Sequence, residues 1–84
     1  MSEYKLVLLR KLKHFKIPES EYCFDGEIKD NCLGVEEKEN IWEVYENSNG
    51  KKTVIGIFYN ENAAYNFLFF LVMKKHVNIK KRWW

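Results

Sequence analysis

Five glutamates lie between residues 36 and 46, in the middle of the chain. They are Glu36, Glu37, Glu39, Glu43 and Glu46. Carboxylates this close together can attract a basic partner, take the positions that phosphates occupy on a nuclease and speed the encounter of the two molecules. Tyr45 alternates in phase with Glu43 and is a candidate aromatic anchor of the same contact. We therefore predict that these six residues bind a basic protein partner.

The sequence shows no pattern typical of catalysis or metal binding. Cys23 and Cys32 are spaced too widely for a Cys-x-x-Cys half-site, and we predict that both are buried free thiols. His14 and His76 lie near opposite ends of the sequence, away from a candidate Ser or Cys nucleophile, and the four glycines are scattered. The sequence thus predicts a protein that is not an enzyme and that holds neither cofactor nor metal.

Charge is distributed unevenly along the 84 residues, although the net charge is only +2. Residues 1–16 sum to +4, residues 17–61 to −7 and residues 62–84 to +5. Such runs can be simply solvated faces, or they can give a dipolar surface that steers a charged partner. The basic and aromatic ending Lys80 to Trp84 is equally open: it could stack on bases, lie on a membrane surface or fold back onto the protein.

The first third of the chain predicts one helix and an extended connection. Ser2 can cap a helix over residues 3–14, whose leucines recur at three and four residues. Pro18 closes this element and pushes Ile17 into an extended conformation, where we expect Ile17 to pack under a sheet. A short extended piece, residues 22–24, then precedes an Asp25-Gly26 turn.

Three strands follow. Residues 32–36 lead through a polar turn, residues 37–40, into residues 41–46, where Trp42 and Val44 share one face. Asn49-Gly50 predicts a type I′ hairpin turn because both central positions of that turn need positive φ. Residues 52–59 are the return strand, with Gly56 as a bulge or a close-packing point.

A second helix begins after Asn60, a good N-cap, and is predicted to end near Lys75 or His76. Its core stripe is Ala64, Phe67, Leu68, Leu71 and Val72. We expect Trp42, Phe67, Leu68 and Leu71 to hold this helix against the sheet. The predicted fold is an α+β two-layer sandwich, helix, three-stranded antiparallel sheet, helix, forming a single domain over residues 1–76 with a tail over residues 77–84.

The stretch IWEVYENSNGKKTVIGIFYNENAAYNFLFFLVM, residues 41–73, together with the Ile17-Pro18 junction, resembles small bacterial immunity proteins. These are the cognate inhibitors encoded beside toxins of polymorphic-toxin and contact-dependent growth-inhibition systems. The resemblance covers roughly residues 15–73 and implies direct, tight binding to one toxin domain, a nuclease by the acidic character of the hairpin. It gives no map of contacting residues, because the binding surfaces of such inhibitors vary from one toxin to the next.

A small nucleic-acid-binding or adaptor module that uses the basic termini is the alternative. Helix, three strands, helix is also the topology of double-stranded RNA-binding domains, which place lysines at the start of their second helix. Here that site reads Asn60-Glu61-Asn62-Ala63 and carries no base. We therefore predict no nucleic-acid partner. The apolar run interrupted by Asn66 predicts no membrane span, and the Leu6–Leu9 patch is too short for a signal peptide, which predicts the cytoplasm; oligomeric state stays open.

Overall fold

The computed structural model describes residues 3–24 and 31–80, and for residues 77–80 it describes the backbone alone. The elements in chain order are α1 (Glu3–His14), a 3-10 turn (Glu19–Glu21), β1 (Tyr22–Phe24), β2 (Cys32–Lys38), β3 (Ile41–Ser48), β4 (Lys51–Phe58) and α2 (Glu61–Lys80). Helix α2 thus continues past its predicted end near Lys75 or His76. The predicted Asp25-Gly26 turn and the last four residues of the predicted tail lie outside the described residues.

The α+β class is confirmed, but the prediction of a three-stranded antiparallel sheet is wrong in detail. The sheet has four strands in the order β1-β2-β3-β4, and it is mixed. Strands β2, β3 and β4 form the predicted antiparallel meander, whereas β1 pairs parallel to β2 along its whole length of three residues. A three-residue strand is too short to show alternation, so only its partner reveals it.

Both hairpins of the meander close with two-residue turns in the left-handed region. Asn49 and Gly50 have φ of 54° and 76°, so the predicted type I′ turn is confirmed. The preceding turn, between β2 and β3, uses Glu39 at 20° and Asn40 at 66°. Asparagine and glycine adopt these angles at low cost, which fixes the register of both hairpins.

Gly56 is a close-packing point, as predicted. A Cβ at this position would lie 3.0 Å from the Phe58 ring and 3.2 Å from the Phe67 ring. The register of β3 against β4 shifts beside it, because Val44 pairs with Gly56 while Tyr45 pairs with Val54. One extra residue, Ile55, is therefore accommodated in β4 as a bulge.

Both helices cover one face of the sheet. The side chain of Asn60 caps α2 by accepting a hydrogen bond from the Ala63 backbone N–H at 3.1 Å, which confirms the predicted cap. Helix α2 packs across β2, β3 and β4, and α1 packs against α2. Helix α1 ends where Lys16 takes a left-handed conformation, with φ of 58°.

The core lies between the helices and this face of the sheet. It includes Leu8 and Leu12 from α1, Val44 from β3 and Leu68 from α2. Of the four residues predicted to hold the second helix, Leu68 is fully buried, while the other three are partly buried against this cluster. Ile17 is buried in the same cluster, which confirms the predicted anchor.

The prediction that Cys23 and Cys32 are free thiols is wrong. The two residues form a disulfide, with their Cα atoms 6.3 Å apart. Parallel pairing of β1 with β2 sets Cys23 beside Gly34, two residues along from Cys32. The two thiols therefore meet through strand pairing, which their spacing in the sequence does not reveal.

Candidate protein-binding surface

The face of the sheet opposite the helices carries charged and apolar side chains from its three long strands. Successive side chains of a strand point to opposite faces, so the face opposite Trp42 and Val44 is set by the intervening positions. We call the accessible part of it the open face and define it by Glu36, Lys38, Glu43, Lys52, Val54 and Ile57.

Two carboxylates stand directly opposite one another at the centre of the open face. Glu36 of β2 and Glu43 of β3 are Cα partners in the antiparallel ladder. Like charges in such a pair repel and destabilise a sheet. Each carboxylate has a lysine beside it: Lys52 forms an ion pair with Glu36, and the Lys38 ammonium lies 3.4 Å from Glu43.

Glu37, Glu39 and Glu46 are exposed. No ion pair joins these three residues to another side chain within residues 3–24 and 31–76. Glu39 lies in the turn, while Glu37 and Glu46 point to the helix side of the sheet. Glu46 lines a cleft of about 400 Å³ there, beside Lys74 and Lys75. Glu36 and Glu43 thus lie on the open face, Glu39 lies in the turn beside it, and Glu37 and Glu46 lie on the opposite side of the sheet.

Tyr45 shares the face of Glu43, as its alternation predicted, but its side chain is completely buried. The Lys52 ammonium lies 4.8 Å from the centre of its ring. The predicted role of Tyr45 as an exposed contact therefore does not fit its position. Tyr45 is buried beside the exposed carboxylates of its own face, and we do not propose it as a contact.

The neighbouring part of the same face of the sheet is tightly packed around the disulfide. A Cβ on Gly34 would lie 2.6 Å from the Tyr45 ring and 2.5 Å from the Cys23 carbonyl oxygen, so only glycine fits there. The buried amide of Asn47 donates to the sulfurs of Cys23 and Cys32 at 3.8 and 3.7 Å. The tyrosine, the disulfide and the amide together form a buried cluster beside the carboxylates.

Two exposed apolar residues belong to the surface and were not predicted as contacts. Val54 is 42% exposed, and Ile57, the Cα partner of Glu43, is 55% exposed. The sequence predicts β4 as the return strand of the hairpin because its residues are β-branched and aromatic. Which face of an edge strand stays uncovered is decided by the packing of the helices, so periodicity could not show it.

The chain has no match among protein-family models, curated proteins or solved structures. None of the helices in the described part has the length and apolar character that crossing a membrane requires. Within residues 3–24 and 31–76, His, Cys, Asp and Glu side chains form no group of three that could hold a metal ion.

Proposed function

We propose that this protein is an immunity protein, without enzymatic activity, that binds and neutralises one cognate toxin domain. The toxin domain is basic and acts as a nuclease. Carboxylates on the hairpin of β2 and β3 take the place of substrate phosphates in its cleft, so the inhibitor and the nucleic acid compete for the same surface. The resemblance of residues 41–73 to immunity proteins supports the same function.

The observation that carries the proposal is the opposition of Glu36 and Glu43. A carboxylate pair facing across two strands costs stability. Hydrophobic or mixed-charge pairs would serve the sheet better, and in the free protein Lys52 and Lys38 each pair with one of the two carboxylates. A basic side chain of a partner placed between the two carboxylates would relieve the repulsion, so the cost to the free protein becomes affinity in the complex.

The surroundings of this pair fit a protein partner better than a nucleic acid. Ile57 and Val54 provide exposed apolar area beside the carboxylates, as in the centre of a protein interface. The exposed glutamates of the same hairpin, Glu37, Glu39 and Glu46, add negative charge that would attract a basic partner at long range. Phosphate would be repelled by all five glutamates.

We propose the cytoplasm as the compartment in which the toxin is met. Cytosolic thiols are kept reduced, whereas disulfides persist in oxidising compartments. The bond between Cys23 and Cys32 therefore makes a demand on this proposal: the fold must survive its reduction. Reduction of the purified protein by a dithiol tests this demand.

The test of function is co-expression with the toxin domain encoded by the adjacent gene. We expect the wild type to protect cells, and two hairpin variants to lose protection while staying folded. Glu36→Gln with Glu43→Gln removes the opposed carboxylates, and Glu37→Lys with Glu39→Lys and Glu46→Lys reverses the exposed charges of the same hairpin. Exposed substitutions usually shift stability by about 0.5 kcal/mol each. Reversal of charges that contact toxin bases should cost roughly 2–5 kcal/mol each where buried, and should mainly slow association at the rim. Stopped-flow association measured against salt concentration separates the two effects.

A matched triple reversal away from the hairpin controls for net charge. Glu3→Lys, Glu19→Lys and Glu61→Lys changes the charge equally and should leave protection intact. Circular dichroism shows whether the hairpin variants and the control are folded. If the hairpin variants protect as well as the wild type, the hairpin glutamates are only solvated. Sub-micromolar, salt-sensitive binding of RNA or DNA in a gel shift would favour the nucleic-acid alternative, since non-specific affinity is only about 10⁻⁴–10⁻⁶ M.

A further inference from the structure

The outer edge of β4 is long and pairs with no strand in the described part of the chain. β4 is the last strand of the sheet. It runs for eight residues, whereas the strand at the other edge, β1, has three. A free edge exposes a row of backbone N–H and C=O groups that another strand can pair with.

Apart from the bulge at Ile55, β4 carries few of the features that protect an edge strand. Natural edge strands carry charges, prolines or inward-pointing lysines that discourage pairing. Here the only charges are Lys51 and Lys52 at the start of the strand, and the next seven residues, 53–59, carry none. Val54, Ile55 and Ile57 are 42%, 41% and 55% exposed.

An uncharged, β-branched segment without proline is prone to uncontrolled association when it stays bare. The six residues 54–59 read VIGIFY and fit this description. A strand that pairs with this edge wherever the protein is present would prevent such association. A second copy of the same chain meets that requirement.

The charge pattern of β4 is self-complementary in one orientation only. Parallel pairing of two copies would set Lys51 and Lys52 against their own equivalents, which costs stability. Antiparallel pairing about the middle of the strand sets the lysine end of one copy against the aromatic end of the other, Phe58 and Tyr59. Tyr59 is 83% exposed and free to lie under a lysine ammonium.

We propose that β4 is a dimerisation edge, at which two copies of this chain pair antiparallel about a two-fold axis near Val54 and Ile55. The two four-stranded sheets then join into one continuous sheet. This inference goes beyond the proposed function and does not rest on it. The turn at Glu39 joins β2 to β3 and is not part of the dimerisation edge, so a partner can still reach this turn in the dimer.

The expected association is reversible. A lasting interface buries about 1,000 Å² or more, and two eight-residue strands form a small contact. We therefore expect a monomer–dimer equilibrium with Kd on the order of 10 μM, the regime of weak protein contacts. Sedimentation velocity of the purified full chain at concentrations from about 1 μM to about 1 mM spans the expected Kd and would resolve the monomer–dimer equilibrium.

Val54→Lys is the variant that tests the edge. It sets two like charges close to the two-fold axis and should weaken dimerisation roughly a hundredfold, because like charges across an interface cost several kcal/mol. Val7→Lys on α1 is the matched control: the change is the same, and Val7 is 44% exposed against 42% for Val54. The control should dimerise like the wild type.

Cross-linking gives a second readout that does not depend on a disruptive charge. Val54→Cys and Ile55→Cys are tested separately and mixed. Together they cover the three pairings near the middle of β4: Val54 with Val54, Ile55 with Ile55, and Val54 with Ile55. Paired strands bring Cα atoms to about 4.5–5.5 Å, within the range of a disulfide. Mild oxidation should link these variants into dimers, and Val7→Cys should stay unlinked.

Two results would overturn the proposal. One is a wild type that stays monomeric across the whole concentration range. The other is a dimer that survives Val54→Lys but is lost with Val7→Lys, because the interface would then lie on α1. Neither result bears on toxin binding, so the proposed function stands or falls separately.

Discussion

Tyr22 shows how a single buried side chain makes stability depend on pH. Its side chain is 5% exposed, and its ring lies edge-on to Phe24 with centroids 5.9 Å apart. Burial raises the pKa of the Tyr22 hydroxyl above its ordinary value of 10.0, and the negative charge of Glu19 adds to the effect. The folded state therefore holds the proton more tightly than the unfolded chain does.

We predict that the Tyr22 contribution to the free energy of unfolding is complete below about pH 10 and is lost as pH rises through the raised pKa. Denaturant titrations at a series of pH values from neutral to strongly alkaline measure this. Tyr22→Phe removes the titrating group, so the variant should lose less stability than the wild type at high pH. Equal losses would show that other groups carry the alkaline instability.

Residues with a local role were predictable from the sequence. Asn49, Gly50 and Asn60 act through backbone angles or hydrogen bonds to residues nearby, so their types alone indicate a turn or a cap. Tyr45 was placed on the correct face, but its burial depends on Gly34 and Lys52 from neighbouring strands. Alternation gives the face of a residue and does not give what lies above it.

At the scale of elements, the contact of β1 with β2 depends on one residue without a side chain. Gly34 lies against the Cys23 backbone of β1 and the Tyr45 ring of β3. A backbone carbonyl cannot move aside as a flexible side chain can. The pairing of β1 therefore requires glycine at this position.

We predict that Gly34→Ala destabilises the protein by about 1–3 kcal/mol, the usual cost of overpacking. Gly56→Ala is the comparison, because its Cβ would meet only the rings of Phe58 and Phe67, which can shift by a few tenths of an ångström. Chemical denaturation of both variants measures the difference. If Gly56→Ala proves the more costly change, β1 is held less closely than its geometry implies.

The same distinction explains which elements could be predicted. The meander of β2, β3 and β4 joins neighbours through two-residue turns, so hydrophobic alternation and turn residues define it. β1 joins the sheet by parallel pairing across a longer connection, and nothing local to residues 22–24 reports that contact. The disulfide follows from the pairing, so both were missed together.

At the scale of the whole molecule, the disulfide joins β1 to β2 and closes a short loop. Cys23 and Cys32 are 9 residues apart in sequence. Chain-entropy reasoning gives such a loop about 2.5 kcal/mol of stabilisation. Small domains have about 5–15 kcal/mol in total, so the reduced protein should remain folded.

We predict that reduction by a dithiol lowers the free energy of unfolding by about 2.5 kcal/mol and leaves the circular dichroism spectrum unchanged. The double variant Cys23→Ser, Cys32→Ser should match the reduced wild type, which controls for effects of the reductant itself. Protection against the toxin should persist in both. Unfolding on reduction would instead indicate an oxidising compartment and would contradict the proposed cytoplasmic site.

The separation of the exposed hairpin glutamates from the core has a consequence for how the sequence can change in evolution. Glu37, Glu39 and Glu46 are exposed, and the buried cluster is built without them. Substitutions at such positions change stability by about 0.5 kcal/mol or less. Under the proposed function, descendants of this chain can therefore accumulate changes at these exposed positions and follow a toxin that alters its own surface, while Gly34, Tyr45 and Leu68 keep the scaffold constant.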